Sequence, residues 1–303
     1  MKPSVSVIMN CFNGEKYLRE ALNSVFAQTF SDWEIVFFDN ASTDCSGEIA
    51  RSYGPKLRYI HHARTVDLGE GRTEAVRHAQ GEFVAFLDVD DEWLPRKLEN
   101  QLPLFERPSV GVVYSDAWII DAAGCKSGKR FSDGDSRRLR SGYIRNELLA
   151  WGGFLCLSSA VARRELVAQV GWFEPSFTIV EDTDMWFKLA DVTEFACCTE
   201  PLACYRLHGT NSIFTRRERH FRETIALLSR EIRRGRIDQW SRTPAHVRLF
   251  EASWNYAALL RREHRRRDAV RCMKDAMAFA PVRFTGWLSA KSADWIRRRA
   301  EFK

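Results

Sequence analysis

FVAFLDVDDE, residues 83–92, runs five apolar residues straight into four carboxylates. Phe83–Leu87 has the length and composition of a strand buried on both faces. Asp88, Asp90, Asp91 and Glu92 then crowd into a turn where their charges repel. A divalent cation would relieve that repulsion, because Mg²⁺ and Mn²⁺ favour carboxylate oxygen and share it with phosphate. A solvated acidic turn ahead of a helix with Pro95 in its first turn would use the same residues. The surroundings of the turn therefore have to decide.

Working outward, strands and helices alternate. Ser4–Asn10, Glu34–Asp39 and Leu57–His61 read as strands, Glu15–Phe26, about 44–53 and Gly69–Ala79 as helices. After the acidic turn come a helix over 95–106 and a strand Val110–Ile120. Apolar strands alternating with helices predict a mostly parallel sheet covered on both faces. Ligands of such sheets sit beyond the carboxyl ends of the strands. Three strands end in polar groups: Asn10, Asp39 and the Asp88–Asp91 turn. Further on, Leu155–Ala162, Phe195–Cys198 and Leu202–Tyr205 read as strands, and Arg164–Val170 and Glu181–Asp191 as helices. From Thr215 the chain is helical and Arg-rich.

The composition is that of a globular protein: 303 residues, 45% hydrophobic and 28% charged, which excludes disordered and fibrous classes. The net charge of +6 hides a split. Residues 214–303 carry 23 basic and 10 acidic side chains, a net +13, leaving −7 for residues 1–213. Eight cysteines without a C-x-x-C pair argue against structural zinc and fit reduced thiols. Cys11 has no His or Lys partner nearby in sequence and reads as a small buried residue rather than a nucleophile. The longest uncharged stretch, Leu148–Ala162, falls short of a membrane span and reads as core.

Four segments, in order, resemble glycosyltransferase family 2. They are VSVIMNCFNGEKYL with EIVFFDNASTD (5–18 and 34–44), GEGRTEAVRHAQGEFVAFLDVDDEWLPRKL (69–98), the stretch 158–190 containing VEDTDMWF, and Tyr205-Arg206-Leu207-His208. The resemblance covers about residues 4–213. It implies a GT-A type α/β fold: a mostly parallel nucleotide-binding sheet flanked by helices, followed by a C-terminal helical extension. The catalytic domain is expected over 1–213, with a nucleotide-sugar half over about 1–122 and an acceptor half over 123–213. A basic helical region is expected over 214–303.

Carried over by position, the resemblance implies that Asn10, Cys11 and Phe12 meet the nucleotide base and Asp39 the base or ribose. Arg72 would meet the pyrophosphate. Asp88 and Asp90 would hold ribose and metal-diphosphate, with Asp91 an alternative metal ligand; the sequence leaves open which of Asp90 and Asp91 is the ligand. Arg206 is a candidate for the leaving diphosphate and His208 for the metal. Two departures stand out. The second strand ends in Asp39-Asn40 rather than two acids, and Thr73 stands where an amide usually follows the arginine.

Inverting transfer needs a base on the acceptor hydroxyl, and a carboxylate within hydrogen-bond reach serves. The resemblance assigns this to Asp182, with Glu181 binding acceptor or orienting the site; two acids in a first helical turn would otherwise simply complement the helix dipole. Trp151 and Gly153 are candidate acceptor-pocket residues, since aromatic faces suit sugar rings.

The expected activity is thus metal-dependent inverting transfer from a nucleotide-diphosphate sugar, UDP-sugar first, to a hydroxyl of a glycan or lipid-linked glycan, in surface polysaccharide synthesis. Mn²⁺ or Mg²⁺ is the expected cofactor. Rival readings are a sugar nucleotidyltransferase, whose glycine- and lysine-rich signature Asn10–Gly14 lacks, and a non-catalytic nucleotide-binding protein. The basic tail, with Arg clusters beside Trp240, Trp254, Trp287 and Trp295, suits an anionic membrane surface as well as a solvated helical subdomain. No nucleic-acid motif accompanies the charge. The expected location is cytoplasmic, with peripheral contact at the inner face of the membrane.

Overall fold

The computed structural model describes residues 2–129, 139–152, 154–235 and 239–278. The elements are β1 (Val5–Cys11), α1 (Glu15–Phe26), β2 (Trp33–Asp39), α2 (Ser46–Arg51), β3 (Leu57–His61), α3 (Leu68–Arg77), β4 (Phe83–Phe86), β5 (Glu92–Trp93) and α4 (Lys97–Gln101). There follow β6 (Val110–Ile120), β7 (Lys126–Lys129), α5 (Arg145–Ala150), β8 (Val161–Arg163), α6 (Arg164–Gln169), α7 (Glu181–Ala190) and β9 (Glu194–Arg206). The remaining helices are α8 (Ser212–Thr215), α9 (Arg217–Arg233), α10 (Gln239–Arg262) and α11 (Arg266–Ala278).

The strands form one mixed sheet in the order β3-β2-β1-β4-β8-β6-β9-β5, with β7 paired to β6. The half β3-β2-β1-β4 is wholly parallel, as is the long β6–β9 pair. The sheet is therefore mostly parallel by residue pairing, and antiparallel β8 joins its two halves. Successive β1 side chains point to opposite faces. Val5, Val7 and Met9 pack with Leu18, Leu22 and Val25 of α1. On the other face, Phe86 meets Phe173 and Trp186 edge-on. Burial on both faces is why these strands are continuous apolar runs.

Three local expectations differ from the structure. The two short strands after residue 194 are one strand, β9. Its register against β6 slips between Ser115 and Asp116, whose partners are Cys198 and Pro201. A proline cannot donate to a ladder, so it sits at a bulge. The helix over 95–106 is α4 followed by a 3₁₀ turn, Leu102–Glu106. Leu155–Ala162 is core as expected, but only Val161–Arg163 is strand, after a 3₁₀ turn Leu157–Ser159.

The chain divides into two compact units between Arg217 and Glu218. In the second unit, α10 and α11 pack through Ala257, Leu260 and Ala269. Tyr256 Oη donates to Glu218 Oε1 at 2.9 Å, and Arg265 Nη1 reaches both oxygens of Glu218. Among the described residues, no helix is long and apolar enough to cross a membrane. All eight cysteines are free.

Candidate active site

The parallel register brings the polar strand ends to one edge. Cys11 lies opposite Asp39, and Ile8 opposite Phe86, two residues before Asp88. Asn10 is partly buried there, and its Oδ1 has no hydrogen-bond partner. α3 comes close enough to Asn10 that a Cβ on Gly71 would sit 3.0 Å from its amide, so a larger residue there would press on the Asn10 side chain. Phe12 is half exposed at the mouth of the edge. Cys11 is buried and burial pushes its thiol up to about 11, in keeping with a packing role.

Asp39 is 2% exposed. Its Oδ1 accepts the Ser42 N–H at 2.9 Å, and its Oδ2 accepts the Tyr59 hydroxyl and faces His61 Nδ1 at 3.5 Å. Burial acts to raise this carboxyl, but the hydrogen bonds from Tyr59 and Ser42 outweigh it and hold it below the usual range. Asn40, where the family commonly has a second acid, forms a two-point clasp. Its Nδ2 donates to Val66 O at 2.9 Å and its Oδ1 accepts from Val66 N at 2.8 Å. A carboxylate could make only the second bond, which accounts for the departure.

Asp88, Asp90 and Asp91 each offer an oxygen within 4.8 Å of the others. The side chains of Asp88 and Asp90 are about one-third exposed, at 34% and 29%. Asp91, left open as a metal ligand by the sequence, is 1% exposed with both oxygens engaged. Oδ1 accepts the Arg206 N–H at 2.9 Å and Oδ2 the Ser158 hydroxyl at 2.5 Å. Burial, then repulsion from Asp90 and Asp88, raises Asp91 well above the usual carboxylate range.

Arg206 is enclosed rather than free for phosphate, contrary to the expectation for it. The residue is 1% exposed. Its Nη2 meets Glu20 at 2.5 Å and also Glu92, its Nε donates to Asp90 O at 2.9 Å, and its guanidinium lies 4.5 Å from the Tyr17 ring centroid. Nε, Nη2 and one face of the guanidinium are thus engaged, so the cation braces the acidic turn. His208 does point into the cluster. Its Nε2 is 2.9 Å from Asp90 Oδ2 and its Nδ1 2.8 Å from Thr210 Oγ1.

Glu181 and Asp182 open α7. Arg72 connects them to the acidic turn: Nη2 lies 2.6 Å from Asp88 Oδ1, and Nη1 is hydrogen-bonded to Glu181 Oε1. Glu181 is 1% exposed and its Oε2 has no partner. Burial pushes its carboxyl up to about 8 against the opposing pull of Arg72. Asp182 is partly exposed, and its Oδ1 accepts the Thr183 N–H at 2.6 Å. Asp184 is fully buried and paired with Lys188 at 2.9 Å.

Trp151 is 44% exposed, with the Arg140 guanidinium 5.9 Å from its ring centroid. Gly153, the other acceptor-pocket candidate, lies outside the described residues. Sequence reasoning missed Ser158, Thr210 and Tyr17, all of which touch the cluster or its neighbours. Tyr17 and Ser158 lie within family-like segments, but ordinary residue types there, and at Thr210, carried no signal of contact with the cluster.

A family model described as glycosyl transferase family 2 matches residues 6–171. An uncharacterized glycosyltransferase, alr2836, of Nostoc sp. is 32% identical over 216 residues, 69% of this chain and 66% of that protein. Another, of Rickettsia felis, is 30% identical over 195 residues, 63% of this chain and 32% of its own length. The chain thus spans between about a third and two thirds of these curated relatives. Among solved structures, S. aureus TarS 1–349 in complex with UDP-GlcNAc aligns with a TM-score of 0.72 at 18% identity, over 93% of this chain and 82% of that one. The mannosyltransferase PcManGT from Pyrobaculum calidifontis, in complex with GDP-Man and Mn²⁺, gives 0.63 at 17%, over 97% and 80%. At those identities the likeness establishes the GT-A fold. With the family model spanning more than half of its residues, the chain belongs to glycosyltransferase family 2.

Proposed function

We propose that the protein is a metal-dependent inverting glycosyltransferase. It would move a sugar from a nucleotide-diphosphate donor, UDP-sugar first, to a hydroxyl of a glycan or lipid-linked glycan in surface polysaccharide synthesis. One observation carries the reading. Arg72 bridges the acidic turn at the nucleotide edge to the Glu181–Asp182 helix start, so donor-side and acceptor-side carboxylates share one site. The neighbours support the donor class, one being bound to UDP-GlcNAc and one to GDP-Man with Mn²⁺.

The residues fit a divalent cation. Asp88 and Asp90 supply hard, accessible oxygens, and His208 adds a nitrogen beside Asp90. The ion, when bound, would neutralise charge developing on the leaving diphosphate. The chain's own residues do the rest. Asn10 and Phe12 offer an amide and an aromatic face to the nucleotide at the mouth of the edge, with Asp39 fixed behind them. Arg72, tied to Asp88 and Glu181, adds positive charge between the two halves. Asp182 takes the proton from the acceptor hydroxyl as that oxygen attacks the anomeric carbon opposite the leaving group, which inverts the centre. Glu181, held by Arg72, keeps one buried oxygen for an acceptor hydroxyl, and Trp151 offers a ring face for the acceptor sugar.

The test is transfer and donor hydrolysis against a panel of nucleotide sugars, with and without Mn²⁺. Asp182→Asn should lower kcat by about 10²–10⁴-fold with little change in donor KM. Asp90→Asn should abolish the Mn²⁺ dependence. Absence of any donor-dependent signal, or indifference of transfer to both substitutions, would overturn the enzyme reading.

The basic C-terminal region would dock at the anionic inner face of a membrane, close to a lipid-linked acceptor. Supporting it, Arg261, Arg262, Arg266 and Arg267 are all exposed around the α10–α11 turn, and Trp254 and Val270 are exposed on the same two helices.

A further inference from the structure

We propose that Asp91 and Ser158 are not ligands but a clamp that sets the spacing of the metal ligands Asp88, Asp90 and His208. The inference rests on the metal-dependent reading and concerns how the chain prepares that site.

Ser158 is fully buried, at the first position of the 158–190 stretch. Its Oγ accepts the Asp88 N–H at 3.1 Å and donates to Asp91 Oδ2 at 2.5 Å, so one hydroxyl spans the start and the end of the acidic turn. Ser158 is itself fixed, because its carbonyl accepts Trp93 Nε1–H at 2.7 Å. The other oxygen of Asp91 accepts the Arg206 N–H at 2.9 Å, and Arg206 Nε returns to Asp90 O at 2.9 Å. The turn is thus held at its first residue, its third and its fourth.

The same contacts anchor the segment carrying His208. Asn211, also buried, receives the His208 N–H on Oδ1 at 2.6 Å and donates Nδ2–H to Arg206 O at 3.1 Å. Thr210 Oγ1 holds His208 Nδ1, and the Tyr17 ring lies 5.1 Å from the imidazole. The imidazole therefore presents Nε2 to Asp90. Asp91 is the hub: one carboxylate couples the turn to the end of β9 and, through Ser158, to the turn before β8. Burying this carboxyl is costly, and its hydrogen bonds from Ser158 Oγ and the Arg206 N–H offset part of that cost in this geometry. Partners behind metal ligands commonly tune affinity by 10–100-fold when lost.

Mn²⁺ uptake by the full-length protein, read from the free-ion EPR signal without donor, separates the possibilities. Wild type should bind, and Asp90→Asn should not. Ser158→Ala should weaken binding by about 10–100-fold. Asp91→Asn should fall in the same range, and the double variant should be little worse than either single one, since both break one unit. A purely structural role would lower the melting temperature and leave Mn²⁺ affinity intact. Thr210→Val, at an exposed position, loosens His208 without touching the core and should cost several-fold. Ser158→Ala binding Mn²⁺ like wild type, or Asp91→Asn failing as completely as Asp90→Asn, overturns the clamp while leaving the metal-dependent reading standing. Wild type taking up no Mn²⁺ overturns that reading and the clamp with it.

Discussion

Lys97 on α4 is wholly buried, with Nζ 2.8 Å from Gln101 Oε1 and 4.2 Å from the Trp93 ring centroid. Burial pulls its amine down from 10.5 to about 7. Between those values the unfolded chain holds the proton and the folded chain does not, so stability rises as pH climbs from about 7 towards 10.5. At and below pH 7 the full penalty applies, on the order of 5 kcal/mol before relaxation reduces it. Lys97→Met should therefore stabilise the protein most at or below neutral pH, with the advantage fading towards pH 10.5. Urea titrations at several pH values check this, and an advantage that does not vary with pH would contradict it. At this scale the sequence named Asp88, Asp90, Asp182 and His208 through their order in motifs. Lys97 and Ser158 were invisible, because burial of a lysine or a serine is decided by what packs over it.

Among the elements, β2 shows how a departure from the family pattern has a local cause. Asn40 follows the strand and grips Val66 with both ends of its amide, fixing the path of the chain from β3 into α3. Asn40→Asp would lose the donor and set a charge against the Val66 carbonyl, beside Asp39. The expected cost is about 1–3 kcal/mol, seen as a lower urea midpoint with an unchanged slope; a stability equal to wild type would remove the clasp from the account. Periodicity located β1, β2 and β4 and their polar ends to within a residue or two, because those strands are apolar on both faces. It failed at β9, where Thr199-Glu200-Pro201 looks like a break and is a bulge in a continuous pairing. Long-range register, not local composition, keeps that strand whole.

On the scale of the molecule, charge is divided as the fold is. The acidic stretch holds the carboxylate cluster, and α9, α10 and α11 lie in the basic stretch. Each arginine near an anionic surface is worth about 1 kcal/mol, so the exposed α10–α11 turn should support binding that salt weakens. Co-sedimentation with phosphatidylglycerol vesicles, but not phosphatidylcholine ones, is the expected result. Replacing Arg261, Arg262, Arg266 and Arg267 together by Ser should abolish it. Equal behaviour with both lipids would remove the membrane from the reading.

The sequence by itself determined the α/β class, the family and the identity of the polar groups at the strand ends, because period, composition and motif order are local properties of the chain. Only the tertiary structure decided how those groups divide their work. It enclosed Arg206, sealed Asp91 against Ser158, and joined Asp88 to Glu181 through Arg72, which lies 109 residues from Glu181 in the chain. Burial and hydrogen-bond partnership depend on segments far apart in sequence. They separate an accessible carboxylate from an identical side chain three residues away.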